Sequence, residues 1–299
     1  MPDERVDREP LRVRGAGPML AYEVVGPRKE RTADSLTLLC LHGNSSHRGI
    51  WRPVACELDE FRCVLLDMRG HGESERVTPP AYNPEHHAAD LARVAGALVR
   101  GPYAVLAHSA GALASARWIA ETRTDRSVPP PLAFVWVDID PLVPRWQVEY
   151  FHQGATSVGR VFPTVEDALR GFRRIYPDIP DDRLRSFVGE GLCPADGGWR
   201  MKLDPATYAT WEPGDVRAEL PYIACPTLVL RGALSTVSSP EGLATLRSAL
   251  PRCHVSEIAG GSHLLLLEHP QVVAASVRDF LSALGQPGVS GKGKSPRRG

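Results

Sequence analysis

The chain has 299 residues, 43% of them hydrophobic, with 35 basic and 35 acidic side chains and a formal net charge of zero. That length suits one large α/β domain with a smaller insertion, and the balanced charge offers no electrostatic footprint for nucleic acid or an anionic membrane. The charged start, Met1 to Arg8, has no apolar stretch to act as a secretory signal, and no run nears the ~20 apolar residues of a membrane helix, so a cytoplasmic protein is expected.

Residues 11–15 and 19–25 predict two short strands joined by a Gly-containing turn, a hairpin. Residues 35–41 and 61–67 are near-continuous apolar runs, as strands covered on both faces require. Helical patterns follow at 49–58 and 84–99, the second opening at Asn83-Pro84, a capping residue before proline. Further strands are expected at 103–107, 132–138, 226–231 and 253–258, and further helices at 110–121, 240–249 and 270–284. Such alternation predicts an α/β fold with a mostly parallel sheet covered on both faces. Residues 141–220 break the rhythm with helical stretches at 165–176 and 181–190, Pro/Gly-rich loops and no obvious buried strand. They are expected to form a helical cap over the C-terminal edge of the sheet, inserted after strand six. Residues 10–140 and 221–285 then make the core, and 1–9 and 286–299 are expected to be disordered tails. The six cysteines are scattered without a C-x-x-C pair, which suits reduced thiols.

Reactive groups in open α/β sheets collect at the C-terminal ends of the strands. Residues 107–111, Ala-His-Ser-Ala-Gly, follow a buried strand and open a helix, so Ser109 stands at the tip of a tight turn. His42-Gly43-Asn44 follows the third strand, and Asp67-Met68-Arg69-Gly70-His71-Gly72-Glu73-Ser74 the fourth. Asp138 and Asp140 follow the sixth, and Gly261-Ser262-His263 the last. A nucleophile needs a base within reach and the base an orienting acid, and Ser109, Asp138 and His263 supply all three in chain order.

These segments resemble the α/β-hydrolase fold over residues 10–285. His42-Gly43 is similar to the oxyanion-loop turn, Asp67-x-Arg69-Gly70-His71-Gly72-x-Ser74 to the D-x-R-G-x-G-x-S segment, and Ser109 to the nucleophile at the elbow. Gly261-Ser262-His263 is similar to the loop that bears the catalytic histidine. Ala107 departs from the G-x-S-x-G pattern, which prefers glycine there. The resemblance implies an eight-stranded sheet, Ser109 as nucleophile, His263 as base, and the N–H groups of Asn44 and Ala110 as the oxyanion hole. Many members place the acid after the seventh strand, but here positions 234 and 236 are Leu and Thr. Either Asp138 or Asp140 replaces it, Asp138 being nearer the strand end, or the set is incomplete.

The leading expectation is hydrolysis of a small ester, lactone or thioester through an acyl-enzyme, with no cofactor and a small-molecule acyl substrate as partner. Ser109 argues against the haloalkane dehalogenases and epoxide hydrolases of this fold, which use aspartate at the elbow. The alternatives are a cofactor-free dioxygenase, lyase or C–C hydrolase with His263 as base, and a non-catalytic ligand-binding member of the fold. His42, His47 and Trp51 are pocket candidates, although His42 also suits a bond to the loop backbone. His108 is expected to pack below the turn and His71 to order its loop. Asp67 and Arg69 are expected to pair with each other. His86-His87, without further residues at metal-ligand spacing, is expected at the solvent surface.

Overall fold

The computed structural model describes residues 11–13, 15–26, 36–125 and 127–285, so both expected tails lie outside the described residues. In chain order the strands are β1 (Leu11–Val13), β2 (Leu20–Val25), β3 (Thr37–Leu41), β4 (Arg62–Leu66), β5 (Tyr103–His108) and β6 (Ala133–Val137). They continue with β7 (Leu192–Ala195), β8 (Gly198–Met201), β9 (Thr227–Gly232) and β10 (Cys253–Ile258). Eight of them form one sheet in the order β1-β2-β4-β3-β5-β6-β9-β10. β2 runs antiparallel to β1 and β4, and the remaining neighbours are parallel. The α/β-hydrolase fold expected from the sequence is the fold observed.

Strands β3, β5 and β6 are buried at every position, which is why their sequences are apolar at nearly every position rather than alternating. Successive residues serve opposite faces. Leu38 and Cys40 join Val54 of α1 (Arg52–Glu57) and Val273 and Val277 of α10 (Pro270–Ala283) in one core. Leu39 and Leu41 join Leu91 and Val94 of α2 (Pro84–Leu98) and Leu113 of α3 (Ala110–Glu121) in the other. Helix α2 begins at Pro84 as predicted, but Asn83 does not cap it. Its Oδ1 accepts instead from the N–H of Glu212, which ties the helix start to the insertion.

Between β6 and β9 lie α4 (Arg145–Val158), α5 (Val165–Ile175), α6 (Asp181–Glu190) and α7 (Ala206–Ala209). Thr164 and Asp167 form a reciprocal capping box at the start of α5. The segment also holds β7 and β8, an antiparallel hairpin where an all-helical insertion was expected. Its strands are short and half-exposed, so they carry no apolar run. The Asp196-Gly197 pair between them, with Gly197 at φ 82°, is the turn signal that marks it. The insertion is stitched to the loop after β4, where the N–H of Gly72 donates to Lys202 O (2.7 Å) and the N–H of Asp204 to Gly70 O (2.8 Å). Beyond β9 follow α8 (Pro240–Ala249), β10 and the short α9 (Leu265–Glu268).

Candidate active site

Ser109 joins β5 to α3 with φ 55° and ψ −130°, a conformation that side chains other than glycine rarely adopt. Its N–H donates to Val137 O at 2.8 Å, so the adjacent strand holds the strained turn in place. Two glycines make room for it. A Cβ on Gly111 would lie 2.4 Å from His42 O, and one on Gly43 would lie 2.6 Å from the Ser109 Cβ. The third small position tolerates Ala107, which sits within the regular β5 ladder opposite Leu41 and Trp136.

Asp138 is the first residue beyond β6, buried, with φ 55°. Its Oδ2 lies 2.8 Å from Nδ1 of His263, which stands on the loop between β10 and α9. Its Oδ1 accepts from the N–H of Gly232 (2.9 Å). The alternative acid, Asp140, faces elsewhere: its oxygens accept from the N–H (2.8 Å) and hydroxyl (2.6 Å) of Ser239, the N-cap of α8. No hydrogen bond joins Ser109 Oγ to the His263 ring among the described residues. The His108 and His263 rings lie 4.6 Å apart between centroids, so the histidine loop packs against the residue that precedes Ser109. His108 Nε2–H donates to His263 O (2.8 Å), leaving its buried Nδ1 without a partner. Burial, then the nearby His263 ring, pushes the His108 pKa down to about 3, so it is a neutral tether between the serine turn and the histidine loop.

The loop after β3 brings Asn44 beside the turn. Among the described residues no backbone carbonyl accepts from the N–H of Asn44 or of Ala110. The Asn44 side chain donates to Thr207 O of α7 (3.2 Å), and the hydroxyls of Ser45 and Tyr208 lie 2.5 Å apart. Neither α7 residue was singled out in the sequence, where Tyr208 was one of many aromatics in the insertion.

The three pocket candidates belong to the fold's interior. His42 has no exposed surface; its Nε2 accepts from the N–H of Met68 (2.9 Å) and its Nδ1–H donates to Gly43 O (2.6 Å). Burial lowers its pKa to about 3. Trp51 is also fully buried and donates its indole N–H to Leu41 O (2.6 Å). A side chain without accessible surface lines no solvent-filled cavity, so neither residue fits the pocket expectation. His47 stacks on Phe187 of α6 at 4.6 Å and donates to its carbonyl (2.9 Å).

Two further expectations are corrected. Asp67 and Arg69 do not pair, since Asp67 binds the backbone N–H (2.7 Å) and guanidinium of Arg48 while Arg69 makes a two-pronged bridge to Asp90 (2.7 and 2.9 Å). Burial alone would raise the Asp67 pKa, but the Arg48 charge and neighbouring donors bring it below the usual value. His87 is buried, 6.5 Å from the His71 ring, rather than at the solvent surface. His71 does order its loop, with its ring nitrogens 2.9 Å from Arg69 O and 3.0 Å from Asn44 Oδ1.

The strand order, the elbow at Ser109 and the adjacent carboxylate–imidazole pair define a hydrolase scaffold of the α/β class. Residues 38–276 match the model of the alpha/beta hydrolase family, and the chain belongs to that family. It is 26% identical over 251 residues to the 2-(acetamidomethylene)succinate hydrolase of Mesorhizobium japonicum, covering 82% of this chain and 88% of that protein. It is 25% identical over 255 residues to the pimeloyl-[acyl-carrier protein] methyl ester esterase of Xanthomonas oryzae pv. oryzae, covering 83% and 95% of the two. A crystal structure of E-2-(acetamidomethylene)succinate hydrolase superposes with a TM-score of 0.79 at 23% identity, covering 92% of this chain and 99% of that one. The chain is accordingly an enzyme of the hydrolase class. Among the described residues no helix is long and apolar enough to cross a membrane.

Proposed function

We propose that this enzyme is a cytoplasmic serine hydrolase that cleaves a small ester, lactone or thioester through an acyl-enzyme. Ser109 Oγ attacks the carbonyl carbon while His263 Nε2 takes its proton. The tetrahedral intermediate places its oxyanion on the N–H groups of Asn44 and Ala110, a contribution of about 3–4 kcal/mol for one such donor elsewhere. Protonated His263 then gives its proton to the leaving group. Water activated by the same imidazole releases the acid and restores Ser109. Asp138 fixes the His263 tautomer, with the proton on Nδ1, and stabilises the imidazolium. The insertion, residues 141–220, serves as the cap, and residues 10–140 and 221–285 as the core.

The observation that carries this reading is the 2.8 Å contact from Asp138 to His263, made beside a serine held at φ 55°. An ester carbonyl is favoured by the likeness to a methyl ester esterase. No Ser109–His263 hydrogen bond is formed among the described residues, and catalytic bonds of this kind commonly tighten only when substrate binds. That same gap supports a second reading, in which His263 acts directly as a base on an acidic substrate in a cofactor-free oxygenation, lyase or C–C cleavage reaction.

A fluorophosphonate probe separates the two. The first reading expects one label per chain near neutral pH, absent in Ser109→Ala and strongly reduced in His263→Ala. An unlabelled wild-type enzyme would refute it. A Ser109→Ala variant that keeps most of its turnover would favour the second reading. A panel of p-nitrophenyl esters of varied acyl length then defines the acyl group accepted.

A further inference from the structure

The carboxylate of Asp138 is held from the neighbouring strand end. In the parallel pairing of β6 with β9, Val137 lies opposite Leu230, so Asp138, just past β6, lies beside the last residues of β9. The last residue of β9 and the loop after it each supply one donor to Asp138. Gly232 gives its N–H to Oδ1 (2.9 Å), and Ser235 gives its hydroxyl to Oδ2 (2.6 Å), the oxygen that also meets His263.

The direction of the Ser235 bond is fixed on both sides. An ionised carboxylate only accepts. On its other side the Ser235 oxygen accepts from the N–H groups of Val237 (3.1 Å) and Ser238 (3.2 Å). Its single proton is therefore directed to Asp138. The N–H of Ser235 donates to Gly232 O at 3.0 Å, which closes the turn that presents the hydroxyl. Three donors thus surround one buried carboxylate, and the third is the His263 ring.

We infer that Ser235 is a positioning residue of the reaction, its hydroxyl orienting the Asp138 carboxylate toward His263. The inference rests on the proposed roles of Asp138 and His263. Without this bond the carboxylate keeps only the Gly232 N–H as a fixed donor and swings more freely about its last torsion. The imidazole then spends less time facing Ser109 with Nε2 bare. Hydrogen bonds to charged groups are stronger than neutral ones, and the expected loss corresponds to about tenfold in rate.

The same geometry allows a second test. Ser235 Oγ lies 2.6 Å from the oxygen that contacts His263, so an aspartate at position 235 projects its carboxyl into the space Asp138 occupies. Asp138 at φ 55° is replaceable by glycine without backbone strain, and Asp138→Gly clears that space.

The experiment measures the rate of Ser109 labelling by a fluorophosphonate in the full chain, with thermal melting to confirm folding. Ser235→Ala should slow labelling about tenfold, whereas Ser235→Thr, which keeps the hydroxyl, stays within about twofold of wild type. Asp138→Gly should be slowed far more, and Asp138→Gly/Ser235→Asp should recover at least about tenfold over it. A folded Ser235→Ala labelled at the wild-type rate overturns the positioning role, whatever the Asp138 variants do. A Ser235→Thr as slow as Ser235→Ala also overturns it, since the loop rather than the hydroxyl would then be responsible. If Asp138→Asn and Asp138→Gly both label at full rate, the proposed role of Asp138 itself fails. That result is distinct from a failure at Ser235 alone.

Discussion

Ser109 is held at φ 55°, a strained conformation that suits the nucleophile role proposed for it, and glycines at 43 and 111 make that strain tolerable. Gly43→Ala would drive a methyl group to within 2.6 Å of the Ser109 Cβ. We expect a folded but destabilised protein whose fluorophosphonate labelling is at least about a hundredfold slower. Wild-type labelling in that variant would mean the loop after β3 shifts freely. The two aspartates make a sharper contrast. Asp138→Asn should lower turnover by roughly four orders of magnitude, as a carboxylate that fixes a histidine tautomer does in serine proteases. Asp140→Asn should leave turnover nearly unchanged and cost about 1 kcal/mol of stability by weakening its hold on Ser239 at the start of α8. Steady-state kinetics and denaturant melts on the pair separate the roles, and the reverse pattern would move the acid to Asp140. That Asp138 rather than Asp140 contacts His263 was legible because Asp138 follows the last apolar residue of its strand. The interior positions of His42 and Trp51 were not, because burial depends on strands and helices that arrive from far along the chain.

At the level of elements, the sheet was readable because its central strands are apolar at nearly every position and separated by helical periods. The β7–β8 hairpin was not, because a half-exposed strand of four residues leaves no period to detect, and only Asp196-Gly197 betrays it. The contact of α7 with the loop after β3 was equally hidden, since Ser45 and Tyr208 lie 163 residues apart. Under the proposed mechanism that contact bears on function. Ser45 has φ 65° and directly follows Asn44, whose N–H faces the serine turn in the proposed mechanism. Tyr208→Phe removes the phenol hydroxyl and keeps the ring packed 4.8 Å from Phe151. A single lost hydrogen bond of about 1 kcal/mol predicts a fall of about fivefold in kcat/KM, with thermal stability little changed. An unaltered kcat/KM on the best p-nitrophenyl ester would show that α7 does not steady the loop.

Across the whole molecule, the sheet separates two apolar cores, and a group of uncharged histidines lies along its C-terminal edge. Composition revealed ten histidines but not their environment. His42 and His108 are pushed by burial to pKa values of about 3, and His71 to about 4. Burial also lowers His47 and His87. In the unfolded chain each regains a pKa near 6.5. Between about pH 6.5 and pH 4 the unfolded state binds protons that the native state refuses, so stability falls as the solution is acidified. Each histidine contributes a slope of about 1.4 kcal/mol per pH unit in that window, so three of them remove about 4 kcal/mol between pH 7 and pH 5.5. Asp67, held below its usual pKa by Arg48, adds its own loss only at lower pH, as it begins to protonate. Urea unfolding at pH 7 and pH 5.5 should therefore show a midpoint that drops sharply with an unchanged m-value. A level midpoint across that interval would mean these imidazoles take up protons while still folded, and the hydrogen-bonded tautomers assigned to His42 and His108 would have to be abandoned.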